Sequence, residues 1–287
     1  MLVIQTEYFF IGNEDLLMMS FWVKLQQICE TEMPCPTSYG WFHLLFFALS
    51  ILAGILLCVT HKKGDDARVR RAVFVTGILV IALEIYKMFV YSFYIEDNRL
   101  VFDFQWYAFP WQFCSIPMYV SALTGIFKKG KIHNSLMAFL ATYAVFAGLC
   151  VMLYPNDVFI NEIGINIQTM ICHGSMLTIG IYLYGSGYVK TEHKTILRAI
   201  PVFATAVGVA IALNEVMFYS GVLNGETFNM FFVSRHFDGT LPVYSIVQSL
   251  IPYPFCLIAY IIAFSLAAYI MMLGAWGIQK IAARKKA

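Results

Sequence analysis

Cys114 stands in Pro110-Trp111-Gln112-Phe113-Cys114-Ser115-Ile116-Pro117, which places a carboxamide, a thiol and a hydroxyl within four consecutive positions at the head of a long apolar run. Polar atoms in such a run are costly in hydrocarbon unless protein surrounds them and they serve a purpose. A thiolate is a strong nucleophile for acyl groups, and a thiol among apolar neighbours keeps its proton until a base removes it. His173, at the centre of another apolar run, is the expected base, and His43, near the start of a third, is the alternative. The bland reading needs no chemistry: cysteine packs well as a small hydrophobe, and a buried histidine serves equally well as a strut between helices.

Other groups fit a supporting role. Glu84 and Lys87 lie three residues apart and pair on one helix face, which lowers the cost of two ionisable groups at depth. Gln112, Gln168 and Asn214 carry amides, and Gln112 or Asn214 could hold an oxyanion. The seven cysteines form no CxxC and no Cys/His pair at zinc spacing, so neither a metal nor a cofactor is expected. Cys29 and Cys35 are six apart, and a disulfide or two free thiols are both compatible with that spacing.

The elements that position these residues follow from composition. The chain has 287 residues, 60% hydrophobic and only 13% charged, too few polar side chains to cover a water-facing surface. It reads as an all-α polytopic membrane protein, a seven-transmembrane-helix bundle spanning 39–60, 72–95, 108–127, 135–154, 163–189, 196–219 and 250–278, each long enough for a bilayer. Residues 1–37 form a separate interfacial segment with an amphipathic helix over 15–28, capped by Asn13, and 38–287 form the transmembrane domain with a short basic tail. No cleavable signal peptide is evident, and the net charge of +2 points to no nucleic-acid partner. Most Lys and Arg lie after the first, third and fifth spans and in the tail, which puts the N-terminus outside and the C-terminus in the cytoplasm.

Counted inward from the outer ends, His43, Cys114, Gln168, Asn214, Lys87, His173 and Glu84 fall between about 6 and about 16 Å deep. Polar groups from five helices at one depth predict a shared cavity open toward the outer leaflet. Cys114, Pro117, Ser121 and Gly125 share one face of the third span, where small residues allow a close helix approach. The outer connections 100–111 and 228–237 are aromatic and suit the interface.

Trp41-Phe42-His43-Leu44, Glu84, Phe109-Pro110-Trp111-Gln112-Phe113-Cys114-Ser115 and Ile171-Cys172-His173-Gly174, in that order, resemble the YwaF-like family of integral membrane proteins. That family is similar to a vertebrate branch of cysteine-dependent acyltransferases acting on ether phospholipids. The resemblance implies Cys114 as the acyl-carrying cysteine and His173 as the essential histidine, with His43 and Glu84 as further family positions. It departs at Gln112-Phe113, where many members carry a histidine. The implied function is acyl transfer between lipids, or acyl hydrolysis, in a bacterial plasma membrane, with a phospholipid or lysophospholipid as partner. A non-covalent carrier or receptor for a lipid or small amphiphile, centred on Glu84 and Lys87, is the alternative from another class, and a structural membrane protein is the third.

Overall fold

The computed structural model describes residues 13–127, 129–155, 158–239 and 242–284. It is mostly helical. Five helices are long and apolar enough to cross a membrane: α2 (Trp41–Val59), α3 (Asp66–Val90), the continuous run Lys131–Leu153, α8 (His193–Ser220) and α10 (Tyr253–Arg284). The chain is therefore a multi-pass integral membrane protein. Between them lie the short helix α4 (Ile116–Ile126), the 23-residue α7 (Ile163–Gly185) and α9 (Pro242–Leu250). The run Lys131–Leu153 divides into α5 (Lys131–Phe139), a π-turn at Leu140–Ala144 and α6 (Val145–Leu153).

α7 is the hub, packing on α2, α3 and α6, while α4 packs on α3, α5 on α8, and α10 on α6 and α8. Most of its inward residues are buried, including Asn166, Gln168, Cys172 and His173. One end of the bundle carries the short basic loops and the end of α10. The other, here the loop end, carries residues 91–115, 154–155, 158–162 and 221–239.

Two expected spans end differently. The second stops at Val90, and the chain turns into a hairpin of β1 (Phe93–Glu96) and β2 (Arg99–Phe102). Asp97 and Asn98 both have positive φ, 48° and 58°, the backbone that a two-residue hairpin turn requires. The third, expected as a helix over 108–127, is helical only from Ile116. Proline sets both limits. Pro110 forces Phe109 into an extended conformation, with ψ 133°, and Pro117 suits a first helical turn because its missing N–H has no partner there anyway.

α4 is seated by small residues. A Cβ on Gly77 of α3 would lie 2.7 Å from the Ala122 nitrogen and from Ser121 Cβ, and one on Gly125 of α4 would strike the Phe74 ring. The shared face expected along the third span is thus real over the α4 half, with α3 as its partner.

At the loop end α1 (Asn13–Cys29) covers the expected amphipathic run and includes Asn13 as its first residue; the side chains of 13–19 lie outside the described residues. Gln26, fully buried, donates to the carbonyls of Val90 and Phe93. The chain after it bonds to the start of α7, Met33 N–H to Asn161 O and Ile163 N–H to Thr31 O. Cys29 and Cys35 are both free thiols.

Candidate functional site

Because α4 starts at Ile116, Cys114 sits two residues before a helix instead of within one. Ser115 is the N-cap and Pro117 occupies the first turn. The first N–H groups of a helix have no intrahelical acceptor, and the positive end of its dipole favours a thiolate nearby. Irregular backbone at membrane depth persists only where protein buries it or where it lines a cavity, and Phe109, Gln112, Phe113, Cys114 and Ser115 line one.

The cavity they line holds about 580 Å³, within the range that accommodates a small ligand. Its walls include Gln112, Cys114 and Ser115, Lys87 from α3, and the aromatic residues Phe113, Phe146 and Phe264. Cys150 of α6 reaches the same cavity from an exposed position.

Lys87 is fixed from behind. Its Nζ lies 2.5 Å from Glu84 Oε1, and the other Glu84 oxygen accepts from Gln168 Nε2 at 3.0 Å. Glu84 is 5% exposed, so the carboxylate is buried between two donors on two helices, α3 and α7. The expected Glu84–Lys87 pair exists, and Gln168 joins it.

The histidines separate. Both nitrogens of fully buried His43 are used: Nδ1 accepts from the Tyr39 N–H at 3.0 Å and Nε2 donates to Met152 O at 3.0 Å. His43 therefore ties the start of α2 to the end of α6. His173 is different. Its Nδ1 bonds to Thr169 O at 2.8 Å, and since a carbonyl can only accept, that nitrogen carries the proton. A neutral ring then leaves Nε2 as the acceptor, the form a general base needs. Its neighbour Cys172 places its sulfur 4.0 Å from Cys114 O, and His173 is turned about 100° from that contact around α7. Among the described residues no hydrogen bond joins Cys114 to an imidazole.

The two amides expected near the oxyanion act on a loop. Asn214 of α8 donates to Met230 O at 3.1 Å and accepts from its N–H at 2.8 Å. Gln112 donates to Asn229 O at 3.2 Å and accepts from Phe231 N–H at 2.9 Å. They hold the 3₁₀ turn Met230–Phe232, whose Phe231 and Phe232 have φ of 58° and 57°. Bulky residues rarely adopt that backbone, which costs about 1–3 kcal/mol at each, and the paired amides are what over-determine it. Gln112 still lines the cavity, and its amide retains a second proton.

The sequence did not single out Asn229, Tyr91, Tyr107 or Cys150. Asn229 lines the cavity while its Oδ1 accepts from Ser234 N–H at 2.9 Å. Its only sequence signal was a polar residue inside the aromatic connection 228–237.

A model of the TMEM164 family matches residues 38–272. No curated protein and no solved structure matches the chain.

Proposed function

The chain belongs to the TMEM164 family, and on that premise we propose that it moves a fatty acyl group between membrane lipids, or to water, through a thioester on Cys114. One observation carries the reading: the Cys114 thiol stands at the head of α4 in the wall of a cavity of about 580 Å³ that is mostly apolar. An acyl chain fits such a space, and its ester carbonyl then meets the sulfur. The motifs around His43, Cys114 and His173 add the narrower YwaF-like likeness.

In the proposed reaction His173 Nε2 takes the thiol proton, and the thiolate attacks the ester carbonyl of a phospholipid. The C–S bond forms, the ester C–O bond breaks, and the departing alkoxide takes the proton back from the imidazolium. A lysophospholipid hydroxyl or water then repeats the steps in reverse, releasing the thiolate. The transient oxyanion is met by the Ile116 N–H at the start of α4, the Ser115 hydroxyl and the spare Gln112 proton. Catalytic hydrogen bonds are commonly absent before substrate binds, and in this reading the His173–Cys114 bond forms only in the substrate complex. Under the expected orientation, with seven crossings, N-terminus out and basic loops in the cytoplasm, the reaction takes place in the outer half of a bacterial plasma membrane.

The test is a purified protein in nanodiscs given a phospholipid with a clickable acyl chain. A hydroxylamine-labile label on the Cys114 peptide, lost in Cys114→Ala, supports the reading. Undiminished turnover in Cys114→Ala removes it.

The Glu84–Lys87 pair in the wall favours a second reading, a non-covalent carrier or receptor for an amphiphile. Binding or flux that disappears in Glu84→Gln and is untouched by Cys114→Ala would select it.

A further inference from the structure

The cavity has two unlike parts. Phe146 and Ala147 of α6 and Tyr260 and Phe264 of α10 line the part deep in the bundle. Lys87, at the last turn of α3, lines the part next to the loops with Tyr91, Tyr107 and Thr227. Among the described residues Lys87 is the charged residue in this wall.

Its ammonium has three protons. Glu84 takes one side at 2.5 Å, and among the described residues no other side-chain acceptor bonds it. Glu84 is buried and held in turn by Gln168, so the carboxylate is enclosed by protein while the Lys87 side chain, 18% exposed, lines the cavity. Two unused donors next to three hydroxyl-bearing residues form a receptor for an oxyanion, and charge-assisted bonds to it are strong where water is scarce.

The carboxylate also limits the charge of the guest. One cation already shared with one anion accommodates a single negative charge; a second would meet Glu84 with little screening. A phosphodiester carries one charge, and a phosphomonoester carries between one and two near neutral pH.

We propose that Lys87 is a positioning residue that receives the phosphodiester of a phospholipid, with the hydrocarbon chain directed between α6 and α10, and so fixes the distance from headgroup to the Cys114 sulfur. The assignment rests on the reading of the cavity as a lipid site, and it is tested without turnover.

The experiment follows alkylation of Cys114 by N-ethylmaleimide in the full-length protein in dodecyl maltoside, read on the Cys114 peptide by mass spectrometry. Hexadecylphosphocholine, which has no ester to cleave, should slow the reaction at concentrations about tenfold lower than hexadecanol does, the ratio expected for one charge-assisted bond of about 1.5 kcal/mol. Hexadecyl phosphate should protect less well than the diester, and inorganic phosphate alone should not protect. In Lys87→Met the diester should fall to the level of the alcohol, and Lys87→Arg should restore most of the difference.

Equal protection by hexadecanol in the wild-type protein overturns the subsite, and that arm needs no variant that might misfold. Undiminished protection in Lys87→Met overturns the residue assignment. Better protection by hexadecyl phosphate than by the diester overturns the single-charge selection. Protection by inorganic phosphate at the same concentrations overturns the lipid as source of the anion. Absence of the thioester label from the wild-type protein with phosphate-dependent protection intact would sink the nucleophile alone, so the two proposals fail separately.

Discussion

Gln112, two residues before Cys114, accepts a hydrogen bond at 2.9 Å from the N–H of Phe231, a residue 119 positions later in the chain. The segment that carries the thiol and the strained turn at the loop end are thereby one unit, and Asn214 holds the same turn from α8.

Release of that turn is the first expected outcome. Asn214→Leu removes a donor and an acceptor that satisfy both backbone groups of buried Met230, at a cost of about 2 kcal/mol. The midpoint of thermal unfolding in detergent should drop, and Gln112→Ala should do the same with an added loss of acyl transfer. A Gln112→Ala protein with unchanged midpoint and activity would show that the turn holds itself.

The seat of α4 is equally exposed to test. Gly77→Ala puts a methyl where the Ala122 nitrogen and Ser121 Cβ lie 2.7 Å away, and overpacking of this kind costs about 1–3 kcal/mol. α4 should shift and carry the Cys114 segment with it, lowering both stability and the rate of Cys114 labelling. Gly208→Ala, where a Cβ meets nothing within 4 Å, serves as the control and should be neutral.

The buried ion pair predicts non-additivity. Glu84→Gln leaves an uncompensated ammonium and should destabilise by about 3 kcal/mol, whereas Glu84→Gln with Lys87→Met removes both charges and should recover much of it. A double-mutant cycle on unfolding midpoints reads the coupling, and simple additivity would mean that the pair contributes nothing.

The two histidines should separate kinetically. His173→Ala should slow thioester formation by roughly 10²–10⁴-fold, the usual worth of a general base, with little loss of fold. His43→Ala should lower the unfolding midpoint, because it strands the Met152 carbonyl and the Tyr39 N–H. A pre-steady-state burst measured beside the midpoint distinguishes them, and a normal burst in His173→Ala would remove it as the base.

Glu162, in the loop before α7, predicts a pH effect. Burial, with a smaller contribution from the Glu30 carboxylate, pushes its carboxyl up from the ordinary range, and its Oε2 is buried without a partner. An acid whose folded pKa is raised binds its proton more tightly when folded, so stability declines as pH rises from the unfolded to the folded pKa and stays lower above it. Glu162→Gln should therefore raise the unfolding midpoint at pH 8 and change it little at pH 4. The opposite ordering would mean that the charged form is the stabilised one.

The sequence was legible where length and apolarity alone decide. Helices at 41–59, 131–153 and 193–220 lie within or close to the expected limits because long apolar runs have few alternatives in hydrocarbon. It was illegible where the chain reverses locally. Residues 108–115 are as apolar as a span, and only Pro110 and Pro117 signalled the break. Phe93 to Phe102 reads as the end of a span followed by a loop, although Asp97-Asn98 between apolar flanks is a hairpin signal. Depth counting gives each polar residue a height along its span but no direction. His43 and Gln168 face partners on distant parts of the chain, Met152 and Glu84, and Asn214 faces a turn in the next loop, and no periodicity reports those.

The shortness of α4 bears on how the protein is made. An insertion machinery that releases segments into lipid by length and apolarity finds at 116–126 only about 16 Å of helix, preceded by Gln112, whose side-chain amide pairs with Asn229 and Phe231 in chain not yet synthesised. Until Asn214 and the turn at 230–232 leave the ribosome, the thiol segment has no finished pocket to occupy. Its assembly is therefore a late event, and the nascent protein stays chemically silent until the α10 residues Tyr260 and Phe264 have been translated.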